Sequence, residues 1–399
     1  MGRYLIIFIL GVAILLSVVK LSAQNETDER ALIIVKDGVG ISKDSLFLLN
    51  LRFRIQNRFG FSTVSGNSFV VDAFDARVRR LRLRFDGFVI NPRFQYYIQL
   101  SFSRADQDLE RGEIAQTLRD AVLYYEFSDD FYLGFGQSKL PGNRQRVVSS
   151  GNLQFVDRSI ANGVFTLDRD FGFFGYYKNR FANQIIHLKT ALTVGEGRNA
   201  LPTNNGLGYT ARIEWLPFGV FAGSGDYVEG DLEMEQKPKI SVGFTWSYNS
   251  KATRTGGQIG EELYSPVDFS VWIIDYLLKY RGLAFSGEII SRKSEMPTTL
   301  SPVGDVRFVY TGIGFNQQIS KYYENQWEWA LRYSFVKPDE KVSSIARNIQ
   351  ELVLGVNKYI NKHRVKIQGN LSYRVFDNVY HIDHQGNFWQ FIIQAEFGI

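Results

Sequence analysis

Apolar and polar positions alternate with a period of two along most of this chain. From Asn50 onward one face carries Leu51, Phe53, Ile55 and Phe59. The other carries Asn50, Arg52, Arg54, Gln56 and Arg58. Period two is the strand period, because successive side chains point to opposite faces of a sheet. The pattern returns with Leu81, Leu83 and Phe85 against Arg80, Arg82, Arg84 and Asp86. It returns again with Trp327, Trp329, Leu331, Tyr333 and Phe335 against Glu328, Ala330, Arg332 and Ser334.

Such segments recur about every 22 residues and are about 9 to 13 residues long, the reach of a tilted membrane strand. They predict strands at 46–60, 76–89, 93–105, 117–127, 130–138, 171–179, 184–195, 207–216, 239–249, 268–280, 282–291, 306–319, 326–336, 347–359, 363–376 and 388–399. The expected fold is therefore all-β, an antiparallel transmembrane barrel of about sixteen strands. Its apolar face meets lipid and its arginines face a water-filled lumen.

The connections test this independently. Bacterial barrels alternate short periplasmic turns with long outer loops. Short connections follow the second, fourth, sixth, tenth, twelfth and fourteenth predicted strands. The intervening ones, such as 104–116, 139–170, 250–267 and 292–305, are longer and polar. Soluble hairpins have no reason to keep that parity. The connection after the eighth strand, 216–239, breaks it. It holds either a missed strand pair near Phe218 to Gly223 or an ordered periplasmic insertion. The remaining parities put both chain ends in the periplasm.

Composition sharpens the picture. Aromatics make up 15% of the 399 residues, with 32 Phe and 21 Tyr. Mean hydropathy is nevertheless −0.16, a soluble value. Lipid-facing strands that alternate with polar residues reconcile the two, because the average hides the pattern. Residues 1–23 read as a cleaved signal peptide, with Arg3 before an apolar run over 4–19 and Leu21-Ser22-Ala23 before Gln24. The run is shorter than the roughly 20 residues a membrane helix needs. Residues 24–45 form a periplasmic N-terminal segment, and the barrel occupies 46–399. With no cysteine, thiol catalysis and Cys-ligated metal are excluded. Removing Arg3 and Lys20 from a net charge of +5 leaves +3, too small an excess for a nucleic-acid binder.

Several stretches resemble the phosphate-selective porin O and P family, in its Bacteroidetes-type branch. They are Asp37-Gly38-Val39-Gly40 with the Leu51 to Arg58 strand, Arg79-Arg80-Leu81-Arg82-Leu83-Arg84-Phe85-Asp86-Gly87, Leu118-Arg119-Asp120-Ala121-Val122-Leu123-Tyr124-Tyr125, and the run from Gly134 to Arg146. The resemblance implies a sixteen-stranded barrel in the outer membrane of a Gram-negative cell. It also implies assembly as a homotrimer and passage of anions such as phosphate.

The arginines carry the chemistry. Arg52, Arg54, Arg58, Arg80, Arg82 and Arg84 lie on two neighbouring strands and form one candidate anion pathway. A planar guanidinium binds phosphate through paired, charge-assisted hydrogen bonds. The alternative is a lining balanced by lumen acids such as Asp86, Glu126, Glu214 and Glu288. The 139–170 loop, with Lys139, Arg144, Arg146 and Arg158, is expected to fold inward and constrict the channel. The alternative is an outer lid or a subunit contact. Trp215, Trp246, Trp327, Trp329 and Trp389 face outward near strand ends, as interfacial girdles or subunit contacts.

Other motifs yield nothing. His381 and His384 lie in an outer loop without further ligands. Asp106, Asp108, Glu110 and Glu113 lack calcium-loop spacing. Gly256 to Gly260 opens no helix. No cofactor and no catalytic residue is implied, and the partners expected are outer-membrane lipid and small anions. The reading is a porin for passive diffusion of small hydrophilic solutes. It stands against a non-selective general porin or a surface barrel without a transport role.

Overall fold

A computed structural model describes residues 32–35, 38–43, 45–103, 117–377 and 386–399. The signal peptide, His381, His384, Asp106, Asp108, Glu110 and Glu113 lie outside the described residues. Sixteen antiparallel strands close into one barrel. They are β1 (Phe47–Ser65), β2 (Ser68–Val89), β3 (Asn91–Ser101), β4 (Leu118–Ser128), β5 (Phe131–Lys139), β6 (Arg169–Phe181), β7 (Gln184–Thr193) and β8 (Gly208–Leu216). The rest are β9 (Lys239–Arg254), β10 (Glu262–Tyr280), β11 (Leu283–Lys293), β12 (Gly312–Tyr322), β13 (Trp327–Pro338), β14 (Asn348–Asn361), β15 (Val365–Asp377) and β16 (Asn387–Gly398). Each pairs with its chain neighbours. β16 closes the ring on β1, from Gln390 opposite Ser62 to Gly398 opposite Arg54. Closure gives every spanning backbone group a partner, which lipid cannot supply.

The parity of the sequence is the parity of the wall. On β13, Trp327, Trp329, Leu331 and Tyr333 are exposed, while Glu328, Ala330, Arg332 and Ser334 are buried. Exposed apolar and buried polar side chains on one strand mean lipid outside and a polar interior. Of the tryptophans, Trp215, Trp327 and Trp329 sit outward at strand ends. Trp246 lies mid-strand, its ring 6.3 Å from that of Trp272.

The chain differs from its pattern in several places; β9 and β10, for instance, run on into the expected 250–267 loop, to Arg254 and from Glu262. β1 and β2 run on past the expected 60 and 76, to a two-residue turn at Gly66-Asn67. Alternation fades there because β2 is exposed on both parities, with Phe69 at 81% and Val70 at 65%. The turn signal Ser65-Gly66-Asn67-Ser68 was present all the same. The twelfth strand begins at Gly312, not 306, because Val306–Phe308 pairs instead with Thr298–Leu300 in a small outer hairpin. The 216–239 connection contains no strand pair. It is an ordered insertion around a 3₁₀ turn at Ala222–Tyr227, with Gly223 and Ser224 at φ 58 and 55. Before the barrel, Leu32–Val35 pairs with Val39–Lys43, which in turn pairs with the start of β1, from Phe47 to Leu51.

Among the described glycines the least room is at Gly87, where a Cβ would sit 1.7 Å from the Leu48 carbonyl oxygen. Gly87→Ala therefore forces β1 and β2 apart. It is expected to cost about 1–3 kcal/mol, the range for overpacking. The urea midpoint for loss of the heat-modifiable folded band measures this. Gly163→Ala, with nothing within 4 Å of its Cβ, serves as the neutral control.

Candidate functional site

Residues 140–168, between β5 and β6, lie inside the barrel. Apolar anchors hold them to one wall. Phe165 packs on Gly314, where a Cβ would come within 2.6 Å of its ring. Phe155 packs likewise on Gly355, at 2.9 Å. These wall positions are small because the aromatic rings take their space, and each fully buried Phe contributes about 1.5–3 kcal/mol. Guanidinium planes cap the same rings, Arg332 over Phe155 at 4.5 Å and Arg292 over Phe165 at 5.4 Å.

Polar ties complete the seating. Asn143 donates to Glu288 at 2.8 Å, and Gln154 donates to Glu328 at 2.6 Å. Lys366 donates to the Gly151 and Leu153 carbonyls at 2.9 and 2.7 Å. Arg332 donates to the Asp157 carbonyl at 2.8 Å. Local structure is brief: Arg144–Val147 makes one helical turn, and Ser159 caps Ile160–Phe165 by accepting from the Asn162 N–H at 3.1 Å.

The face turned to β1–β5 is different. Two cavities remain there, of about 450 and 420 Å³. The larger is lined by Arg77, Arg79, Arg119, Arg146, Arg158, Arg169 and Arg198 among others. In all, ten of its fifteen lining residues are Arg or Lys and two are Asp. The other is lined by Arg52, Arg54, Arg84, Arg364 and His363, with Glu396 as its one acid. Arg82 and Lys139 line both cavities. Two basic chambers thus meet at one arginine and one lysine.

The expected residues divide between chamber and scaffold. Arg54 donates to the Ser149 and Ser150 hydroxyls at 3.0 and 2.9 Å, and Arg82 donates to Ser150 at 2.9 Å. Arg52 and Arg84 share Asp86, at 3.7 and 2.7 Å, and Arg84 lies over the Tyr97 ring. Arg80 donates to Gln56 at 2.7 Å and approaches Asp157. Lys139 donates to the Val147 carbonyl at 2.8 Å. Arg158 donates to the Gln145 and Val148 carbonyls at 2.7 and 2.8 Å.

Two residues are turned elsewhere. Arg58 is 6% exposed, paired with Asp157 at 2.7 Å, and lines neither basic chamber. Arg144 faces the opposite wall, where it meets Asp275 at 3.2 Å and the Ser241 hydroxyl at 2.6 Å. Arg146 bonds to Asp168. Burial alone would raise the Asp168 carboxyl, but Arg146 and Arg169 outweigh it and hold the group well below the usual carboxylate range.

Sequence reasoning missed Arg198 and Arg364. They belong to connections or strand starts far along the chain, and only closure brings them to the arginine wall. The buried Nε–H groups of Arg52 and Arg79 have no hydrogen-bond partner among the described residues, whereas those of Arg54 and Arg84 face Glu396 at 3.6 Å and Asp86 at 2.7 Å. Fixed cations lining a polar cavity can raise the local concentration of anions and replace part of their hydration.

Comparison with known proteins agrees with this architecture. A family model described as "Phosphate-selective porin O and P" matches residues 49–260. An uncharacterized protein of Aquifex aeolicus (strain VF5) is 23% identical over 355 residues, 80% of each chain. The anion-selective porin from Comamonas acidovorans superposes with a TM-score of 0.54 at 10% identity, over 88% of this chain and 100% of that one. The trimer form of OmpT from Vibrio cholerae gives 0.54 at 9% identity, over 89% and 100%. Salmonella typhi OmpF in complex with daunomycin gives 0.53 at 13% identity, over 92% and 100%. At such identities the structural likeness speaks for the fold.

Proposed function

The chain belongs to the phosphate-selective porin O and P family, an outer-membrane porin, and from that premise we propose that it passes small hydrated anions, phosphate among them. The supporting observation is the pair of basic chambers joined at Arg82 and Lys139. An anion moving along β1 and β2 stays within reach of a guanidinium from one chamber to the next. The inward segment 140–168 acts as the constriction, and Lys139, Arg146 and Arg158 are its share of the pathway. Passage is passive: the solute follows its gradient and the basic wall raises its local concentration. In the same reading residues 1–23 direct export and the barrel assembles as a homotrimer.

The ion pairs of Arg52 and Arg84 with Asp86 favour a second reading, in which the arginines brace the wall of a general porin. Reversal potential separates the two. The mature protein in a planar bilayer across a KCl gradient is expected to reverse on the chloride side, and millimolar phosphate is expected to reduce the chloride current. A reversal potential near zero with phosphate inert would leave the general porin.

A further inference from the structure

We propose that residues 217–238 form a second pore-narrowing element, entering from the periplasmic end, that seals the wall opposite the arginines and confines solute to the basic side. This inference rests on the anion-channel reading for its charge consequence, but not for the seal itself.

The place of the insertion follows from parity. It succeeds β8, and the connections after the other even-numbered strands are short turns at that end. Segment 140–168 succeeds β5 and enters from the other end. The two meet inside the barrel. The Glu229 N–H donates to the Asn152 carbonyl at 2.9 Å, and the Gln154 N–H donates to the Glu229 carboxylate at 2.9 Å. Arg144 donates to the Asp226 carbonyl at 2.7 Å.

The wall holds the insertion as well. Lys279 of β10 donates to the Val228 carbonyl at 2.8 Å, and the Gly282 N–H donates to Asp231 at 2.7 Å. The Tyr227 hydroxyl bonds the Glu214 carboxylate of β8 at 2.6 Å. At Gly230, φ is 74 and a Cβ would stand 2.5 Å from a Glu328 oxygen, so no side chain fits. The insertion is thus packed against its surroundings on both faces.

Space shows the result. The cavity left where the two segments meet the β10–β12 wall is about 20 Å³, room for about one water. The chambers on the arginine side are about 420 and 450 Å³. A third space of about 220 Å³ reaches from Lys139 as far as Arg212, which is paired with Asp275, and beyond it the sealed wall begins. An opening there would be a path without charge preference, in parallel with the basic one. By closing it, the insertion sets how selective the whole barrel can be.

The native chain has no cysteine, so one introduced thiol reports alone. Ser241→Cys places it on the sealed wall, and Gln99→Cys places it in a basic chamber. A small neutral thiol reagent is expected to modify Ser241→Cys at least about 100-fold more slowly, since access requires local opening. Equal rates would overturn the seal.

In a second variant an Asn-Gly turn replaces residues 219–237. Its conductance is expected to rise, with the reversal potential moving toward zero and Ser241→Cys becoming reactive. A folded barrel of this kind that conducts and selects as the parent does would overturn the inference. If the shortened chain does not fold, the thiol rates in the full chain decide. If the parent itself shows no anion preference, the anion reading fails, while the thiol rates and the conductance still judge the seal.

Discussion

Asp275→Ala is expected to destabilise the barrel by about 3–5 kcal/mol, the cost of leaving buried charge uncompensated. Asp275 is 1% exposed. It accepts from Arg212 at 2.6 and 2.8 Å and from the Arg144 side chain at 3.2 Å. Without it two buried guanidinium groups lose their shared partner, and Glu214 alone remains beside them. The loss reaches the pore, because Arg144 ties segment 140–168 to the β10 wall. The urea midpoint of the folded band should fall, and single-channel conductance should become noisier as the segment loosens. Asp275→Asn keeps the shape and some of the acceptors, and should fall between the parent and the alanine variant. An alanine variant as stable as the parent would show that water reaches this network and screens it.

The triple variant Arg54→Gln, Arg82→Gln and Arg84→Gln is expected to move the reversal potential most of the way to zero. A unit charge about 5 Å from a passing anion contributes about 0.8 kcal/mol in water-like surroundings, so each loss lowers local anion occupancy about fourfold. The three share one chamber, and Arg82 also reaches the other. Salt provides an internal check. At 1 M the screening length is about 3 Å, and parent and variant should converge. Arg307→Gln is the control: its side chain is 36% exposed and its nearest acid is 3.9 Å away. If the triple variant loses urea stability but keeps its reversal potential, these arginines brace the wall and do not guide ions.

Much of the fold was legible because its signal is local. Ile240, Val242 and Phe244 point outward wherever their strand sits in the ring, so alternation alone exposes strand and face. Turn parity is nearly as local. Misreadings and open alternatives came where the local signal fades. The β1–β2 hairpin has no buried face at its tip, and Val306 to Phe308 alternate well enough to look like barrel. The insertion after β8 has no period at all, since its Gly and acidic residues serve contacts with distant partners.

The candidate site was less legible. Arg58 and Arg82 have the same residue type and the same parity on neighbouring strands. Both are buried, but Arg58 pairs with Asp157 and lines neither chamber, while Arg82 donates to Ser150 and lines both. Nothing near either residue in sequence distinguishes them. Asp157 arrives from a segment about a hundred residues away, and Arg364 from near the end of the chain.

Sequence alone determined the all-β class, the sixteen strands, the inward arginines and the family likeness, because a two-residue period is a property of neighbours along the chain. Tertiary structure alone decided which arginines line the two chambers and which are turned away from them. It also decided that 140–168 and 217–238 meet inside the barrel. The physical reason is closure: once β16 pairs with β1, a finite lumen must be shared by charges and segments from every part of the chain, and shape and pairing within that volume assign each its place.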